Sequence, residues 1–222
     1  MRLEEISLGE HYHIYNRSHD KQEIFLDSRD YARFLFLILY FQSPVEFFNL
    51  SRPVSQYVRR SAFNIDQQKV AEVLKTRTVE LVSFAIMPNH FHLLVCEKRE
   101  NGISKYMHRV QTAYAKYFNT KYKKVGHLWS GAYKVVSVDS NEQLLHLSAY
   151  IHRNPRGLKE WKNKEENYSW SSYQDYTKGN RWGLLIEQDI ILEQFNSVAE
   201  YDDFLRTSSA KKVDEMHQFD ER

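Results

Sequence analysis

The strand pattern that begins after a Pro-Asn pair constrains the fold more than any other feature of the chain. Side chains alternate between the two faces of a strand, so the apolar residues of His90–Glu97 form one row, which comprises Phe91, Leu93 and Val95. His90 and His92 then lie side by side on the opposite face. The pair Pro88-Asn89 suits a tight turn, and the apolar stretch 81–87 supplies a partner strand. The sequence predicts a β-hairpin. Its two histidines are either one half of a divalent-metal site or simply part of a polar strand face.

Composition limits the class of protein. The chain has 222 residues, with 31 basic and 29 acidic side chains, so local clustering of charge, rather than total charge, must decide whether it binds nucleic acid. The single cysteine, Cys96, excludes an intramolecular disulfide and a multi-cysteine zinc site, and it suits a reducing compartment. We find no signal-peptide core at the N-terminus and no apolar run long enough to span a membrane. We therefore expect a cytoplasmic protein with no membrane partner.

Strand and helix periodicities alternate along the chain. The strands predicted besides the hairpin are His11–Arg17 and 133–138. The predicted helices are 28–41, 66–75, 102–122 and 140–154, with one more after Leu192. Between them, residues 43–65 have no clear pattern, and Pro44 and Pro53 are expected to interrupt them. This order of elements predicts an α+β protein with one antiparallel sheet backed by helices.

A second group of polar residues recurs at helical spacing after Ser140. Its members are Gln143, His146, Tyr150 and Asn154. They share one helix face, while Leu144, Leu147 and Ile151 lie on another and can anchor the helix. An Asn oxygen suits Mg²⁺ or Mn²⁺, and a Tyr phenol is a competent nucleophile toward phosphorus. Pro155 disfavours helical geometry at Asn154, so we expect the helix to end there. Two alternatives remain open. The segment could be an ordinary helix end with an exposed Tyr150, and His146 could be either a base that takes the phenol proton or a packed side chain without a chemical role.

Taken in order, these motifs and four further blocks resemble a known family. The blocks are 12–17, 87–95, 114–119, 126–129, 150–155 and 169–172. Together they resemble the HUH-type single-tyrosine transposases of small insertion sequences, and more closely the REP-associated tyrosine transposases. The resemblance runs from about His11 to Tyr176. It implies a ferredoxin-like antiparallel sheet backed by helices, with an insertion near residues 43–78 and a C-terminal extension.

The resemblance also implies an activity and a set of site residues. Members of the family cleave single-stranded DNA and leave a 5′-phosphotyrosine and a free 3′-hydroxyl. By position, His90, His92 and Asn154 correspond to ligands of Mg²⁺ or Mn²⁺, and Tyr150 corresponds to the nucleophile. The implied partner is single-stranded or hairpin DNA in the nucleoid. We expect a catalytic domain over residues 1–180 and an extension over 181–222, with a mobile tail from Ser208 onward.

Several cations are candidates for phosphate contacts. They are Arg17, Lys105, Arg109, Lys116, Arg153 and Arg156. Each is equally explained as a solvated surface charge. The sequence also leaves open a domesticated, non-catalytic single-strand-binding module, or a metal-dependent hydrolase that does not use Tyr150. It leaves the oligomeric state open between monomer and homodimer.

Overall fold

The computed structural model describes residues 5–46, 49–60 and 66–208. Its strands form one antiparallel sheet. They are β1 (His11–Arg17), β2 (Val79–Met87), β3 (His90–Glu97) and β4 (Lys134–Ser137). The strand order is β2-β3-β1-β4, so the strand nearest the N-terminus lies in the middle of the sheet, beside the histidine strand.

The helices complete a β-α-β-β-α-β order. They are α1 (Ser28–Tyr40), α2 (Ser51–Arg60), α3 (Gln67–Thr76), α4 (Gly102–Tyr122), α5 (Asn141–Arg153), α6 (Tyr173–Thr177), α7 (Asp189–Leu192) and α8 (Val198–Thr207). With α1 before β2 and α4 before β4, this is the ferredoxin-like α+β arrangement expected from the sequence. Helices α2 and α3 lie between α1 and β2, where we expected an insertion, and the strands and helices predicted around them are confirmed to within a few residues.

Helices cover both faces of the sheet. On one face, Phe91 is fully buried, and its ring lies 5.0 Å from that of Phe34 of α1 and 5.4 Å from that of Trp129. On the other face, α5 packs across β2 and β3. Leu94 on the histidine face is therefore as fully buried as Leu93 on the opposite face. The predicted apolar row is confirmed, and the histidines lie between the sheet and α5.

Side-chain caps explain where the helices begin. Asp27 accepts hydrogen bonds from the backbone of Arg29 and Asp30, and Ser140 accepts one of 3.1 Å from the backbone of Gln143. These bonds satisfy amides that have no partner within the first turn.

The start of α4 is held by a buried carboxylate. Glu97 accepts hydrogen bonds from the backbone of Gly102 at 2.8 Å and of Ile103 at 2.6 Å. A Cβ on Gly102 would lie 2.3 Å from the carbonyl oxygen of Thr78, so the helix can begin there only with glycine.

Three local details differ from the expectations. Pro53 does not interrupt the chain but occupies the first turn of α2. Backbone N–H groups in the first turn have no partner within the helix, so the missing N–H of proline costs no helical hydrogen bond there. The last strand is shorter than predicted, at Lys134–Ser137. Asn154 has right-handed helical dihedral angles, φ −52° and ψ −38°, and continues from α5 into the 3-10 turn Asn154–Gly157. Pro155 is buried, and its packing outweighs the steric preference against that geometry.

The C-terminal segment packs on the same core as the sheet. Trp182, Leu185, Tyr201 and Leu205 are all nearly or fully buried. Ser208, predicted to be mobile, is instead largely buried, and its hydroxyl lies 2.9 Å from Nδ1 of His146. The rest of the predicted mobile tail, 209–222, lies outside the described residues. Within the described part of the chain, no helix combines the length and apolar character needed to cross a membrane.

Candidate active site

Strand register places the site residues on one face of the sheet. Arg17 of β1 is directly opposite His90, and Tyr15 is opposite His92. Because side chains alternate, His13, two residues before Tyr15, shares their face. Helix α5 covers this face, so a row from β1 and a row from β3 meet residues of α5 beneath it.

The ring of His90 interacts with neighbouring side chains. Its Nδ1–H donates to Oδ1 of Asn89 at 2.6 Å, and the side chain of Asn154 lies close enough to the ring to affect its pKa. Burial first, and then the positive charge of Arg17, lower the pKa of His90 to about 4, while the side chain of Asn154 partly opposes both. The ring is therefore neutral at physiological pH, as a metal ligand must be.

His92 lies deeper, between two other rings. Its ring is perpendicular to that of His90, with 5.1 Å between centroids. Its Nδ1 lies 2.9 Å from Nε2 of His13, and only 2% of either residue is exposed. Each of the two predicted ligands thus has its Nδ1 hydrogen-bonded to a neighbouring side chain, which leaves Nε2 as the ligating nitrogen.

Tyr150 reaches the histidines from α5. Its ring is edge-on to that of His92, with 5.4 Å between centroids and an angle of 86°. Asn154 follows one turn later on the same helix and meets His90. These four residues come from two separate segments of the chain, and the fold brings them together, as the family resemblance implied.

A buried histidine anchors α5. His152 lies on the side of the helix away from Tyr150; its Nδ1 is 2.9 Å from the hydroxyl of Tyr201 and its Nε2 is 2.8 Å from that of Ser172. Burial lowers the pKa of His152 to about 3, so it is a neutral structural link between α5, α8 and the segment before α6. The apolar anchors predicted for this helix, Leu147 and Ile151, are also buried.

A cavity of about 280 Å³ opens beside Tyr150 and Asn154. Arg153 and Arg156 line it together with His146. Two guanidinium groups near a phenol and an amide make this a suitable place for an anion such as phosphate. His146 contacts Ser208 and packs on Phe204, with 5.3 Å between rings, which favours the packing alternative for this histidine.

The donor set fits a divalent ion of the Mn²⁺ or Mg²⁺ type. Within the described residues, no three His, Cys, Asp or Glu side chains are grouped closely enough to hold a metal. A site here would instead consist of two neutral imidazoles and the amide oxygen of Asn154, with positions open to a phosphate. The two Nδ1 contacts are the outer hydrogen bonds that orient histidine ligands in metal proteins.

The other predicted DNA contacts are spread over the molecule. Lys105 and Arg109 belong to α4, on the sheet face opposite the histidines; Arg109 donates to the backbone carbonyls of Ser43 and Val45, so it holds the insertion. Lys116 lines a separate cleft of about 1320 Å³ beside Trp129. Arg17, Arg153 and Arg156 lie at the candidate site.

Sequence reasoning did not assign a role to His13 or Tyr15. Their rings lie 4.8 Å apart, and each stacks on His92, at 5.1 Å and 5.8 Å respectively. The two-residue spacing of His13, Tyr15 and Arg17 was the available signal, since it places all three on one face of the first strand.

The chain is similar to known proteins in sequence and in fold. Residues 55–154, which include both histidines, Tyr150 and Asn154, match the sequence profile of the IS200-like transposases. No curated protein matches the chain at a significant level. Among solved structures, a REP-associated tyrosine transposase bound to a REP hairpin has 11% sequence identity and a TM-score of 0.52, over 86% of this chain and 92% of that one. At this identity the likeness concerns the fold.

A second solved structure is more distant. It is a putative transposase from Deinococcus radiodurans R1, with 18% identity and a TM-score of 0.35, over 65% of this chain and 91% of that one. The chain is therefore similar in sequence to the IS200-like transposases over residues 55–154, and its fold is similar to that of a REP-associated tyrosine transposase.

Proposed function

We propose that this protein nicks and rejoins single-stranded DNA through a 5′-phosphotyrosine on Tyr150, with a divalent ion held by His90, His92 and Asn154. One observation carries the proposal. Helix α5 brings Tyr150 edge-on to His92, and its C-cap residue one turn later, Asn154, lies close enough to His90 to affect the pKa of that ring. A nucleophile and a ligand that share a helix keep a constant separation, which positions an attacking oxygen relative to a bound phosphate.

The proposed chemistry is a transesterification at phosphorus. The phenol oxygen of Tyr150 forms a bond to the scissile phosphorus as the bond to the 3′-oxygen breaks, and the phenol proton is released as the 3′-oxygen gains one. The 3′-hydroxyl of a strand can then attack the phosphotyrosine and release Tyr150. Two phosphodiester-type bonds are exchanged, so rejoining needs no nucleotide triphosphate.

A bound Mg²⁺ or Mn²⁺ would supply positive charge for the non-bridging phosphate oxygens. The remaining roles belong to side chains of this chain. Asn89 and His13 orient the two histidine rings through their Nδ1 atoms. Arg153 and Arg156 line the cavity beside Tyr150 and would bind the phosphates on either side of the cleaved bond.

The site is complete within one chain. Tyr150, His90 and His92 all come from the same copy, so the proposed reaction does not require a second protomer to supply a site residue. The structural neighbour was solved with a REP hairpin, and we propose hairpin or single-stranded DNA as the partner here. The reaction would take place on chromosomal DNA in the cytoplasm.

The decisive test is a covalent adduct. The protein is incubated with Mn²⁺ and a panel of single-stranded hairpin oligonucleotides that carry a 3′ or 5′ label. We expect a slower-migrating protein band that carries the DNA on the 3′ side of the break, with the nucleotide mapped to Tyr150 by mass spectrometry.

Tyr15 provides a matched control, because it is a second tyrosine whose ring stacks on His92. Tyr150→Phe should abolish the adduct, while Tyr15→Phe should keep it. An adduct on Tyr15 would refute the assignment of the nucleophile. Strand breaks without any adduct would support a metal-dependent hydrolase, and DNA binding with neither would support a domesticated binding module.

A further inference from the structure

We propose that His13 is a positioning residue that fixes the tautomer and orientation of His92. The inference rests on the proposed metal role of His92 and adds to it a hydrogen-bond acceptor from the neighbouring strand. Nothing in the family match or the structural comparisons assigns this residue a role.

The geometry of the two rings is that of a directed hydrogen bond. Nε2 of His13 and Nδ1 of His92 are 2.9 Å apart, and the rings are 20° from parallel. Both residues are almost wholly buried, so water cannot readily replace either partner. A hydrogen bond between two imidazole nitrogens holds one proton, so one ring donates and the other accepts.

The neighbouring ligand indicates which ring donates. Nδ1–H of His90 donates to the amide oxygen of Asn89, which leaves Nε2 of His90 with the lone pair that a metal needs. Rings from the same strand, two residues apart, have equivalent outer contacts at Nδ1. If His92 also donates from Nδ1, then His13 accepts at Nε2, and both ligands present Nε2 lone pairs to one ion.

The side chains around His13 hold its ring with Nε2 directed toward His92. Its ring is 4.8 Å from that of Tyr15 and 6.0 Å, edge-on, from that of Tyr150. Rotation of the imidazole about its bonds is therefore blocked by packing on two sides. The same ring that orients a ligand also contacts the proposed nucleophile, so it couples the position of Tyr150 to that of His92.

The tautomer can be read directly in the wild-type protein. Ring ¹⁵N chemical shifts and two-bond couplings of the metal-free protein, at neutral pH, report which nitrogen of each histidine carries the proton. We expect the proton on Nδ1 of His92 and on Nδ1 of His13. A proton on Nε2 of His92 would overturn the inference, and this measurement needs no variant.

The effect on metal affinity is measured by titration with Mn²⁺, in which the electron paramagnetic resonance signal reports the concentration of free ion. His13→Phe keeps a ring and removes the acceptor, and it should weaken Mn²⁺ binding by about 10- to 100-fold, the usual effect of losing an outer partner of a ligand. His13→Gln restores an oxygen acceptor near the position of Nε2 and should recover most of the affinity. If His13→Phe binds Mn²⁺ as tightly as wild type, the inference is wrong.

Two controls separate this inference from its premise. Val136→Ala removes packing directly across from His13 on β4 without touching the hydrogen bond, and it should leave Mn²⁺ affinity unchanged. His92→Ala should abolish binding. Retained Mn²⁺ affinity in His92→Ala would refute the metal site itself, whereas loss in His92→Ala with none in His13→Phe would refute only the positioning role.

Discussion

The side chain of Asn154 lies close enough to the ring of His90 to raise its pKa, although the two residues are separated by 64 positions in sequence. The contact joins the last residue of the α5 region to the first residue of β3. In the proposed function, this contact would add Asn154 as a third donor beside the two histidines.

Replacing Asn154 should therefore weaken metal binding. Asn154→Ala removes the oxygen donor and is expected to lower Mn²⁺ affinity by about tenfold or more, with a parallel loss of cleavage. Asn154→Asp keeps an oxygen at that position and should retain binding. Titration with Mn²⁺ checks both, and equal affinity of Asn154→Ala and wild type would exclude this residue as a ligand.

Asn89 should affect the same property through His90. Asn89→Ala removes the acceptor for Nδ1 of His90, so the ring can change tautomer and affinity for Mn²⁺ should fall by about 10- to 100-fold. Asn89 also donates to the carbonyl of Lys21 at 2.9 Å. Asn89→Asp loses that donor and keeps the acceptor, so it should bind metal well. Weak Mn²⁺ binding by Asn89→Asp would show that the hydrogen bond to the carbonyl of Lys21, rather than the one to His90, sustains the affinity.

Stability should fall as the pH drops below the normal histidine range. Burial lowers the pKa of His152 to about 3, so the unfolded chain takes up a proton near pH 6.5 that the folded protein cannot accept. Below that pH, this residue destabilises the fold by about 1.4 kcal/mol per pH unit until its folded pKa is reached. Urea unfolding of the metal-free protein between pH 7 and pH 4 measures the slope.

The matched variant for that experiment is His152→Gln, which can still hydrogen-bond Tyr201 or Ser172 but does not titrate. The unfolding free energy of this variant should depend less steeply on pH, by the equivalent of about one bound proton. An unchanged slope would mean that another group causes the acid sensitivity.

The glycine at the start of α4 should be irreplaceable. Gly102→Ala places a methyl group 2.3 Å from the carbonyl oxygen of Thr78, and relief of that overlap should cost about 1–3 kcal/mol of unfolding free energy. Gly157→Ala is the control, because its Cβ would meet nothing within 4 Å and its φ is not positive. Equal unfolding midpoints for the two variants would contradict the expectation.

The cleft beside Trp129 should contribute to DNA binding through charge. Lys116→Ala is expected to weaken binding of a single-stranded oligonucleotide and to reduce the slope of log affinity against log salt by about 0.7. Lys69→Ala removes an exposed lysine of the insertion, outside the cleft, and should leave the slope unchanged. If both variants have the wild-type slope, Lys116 does not contact phosphate.

Local patterns were sufficient for most of the secondary structure. The alternation of His11–Arg17, the caps at Asp27, Asp66 and Ser140, and the apolar stripe of Gly102–Tyr122 depend on neighbours a few residues away. The exceptions have tertiary causes. The helical geometry of Asn154 is maintained by the burial of Pro155, and Ser208 is ordered by its contact with His146.

The sequence by itself determined the types of residue available for chemistry, the strand face of the two histidines and the helix face of Tyr150 and Asn154. It could not determine how those faces meet, because strand order and the packing of α5 depend on contacts between distant segments. Only the tertiary structure places β1 beside β3 and so brings His13 within 2.9 Å of His92. It likewise shows that Arg109 is held by backbone carbonyls of the insertion, since a side chain's partners depend on which distant backbone packs against it.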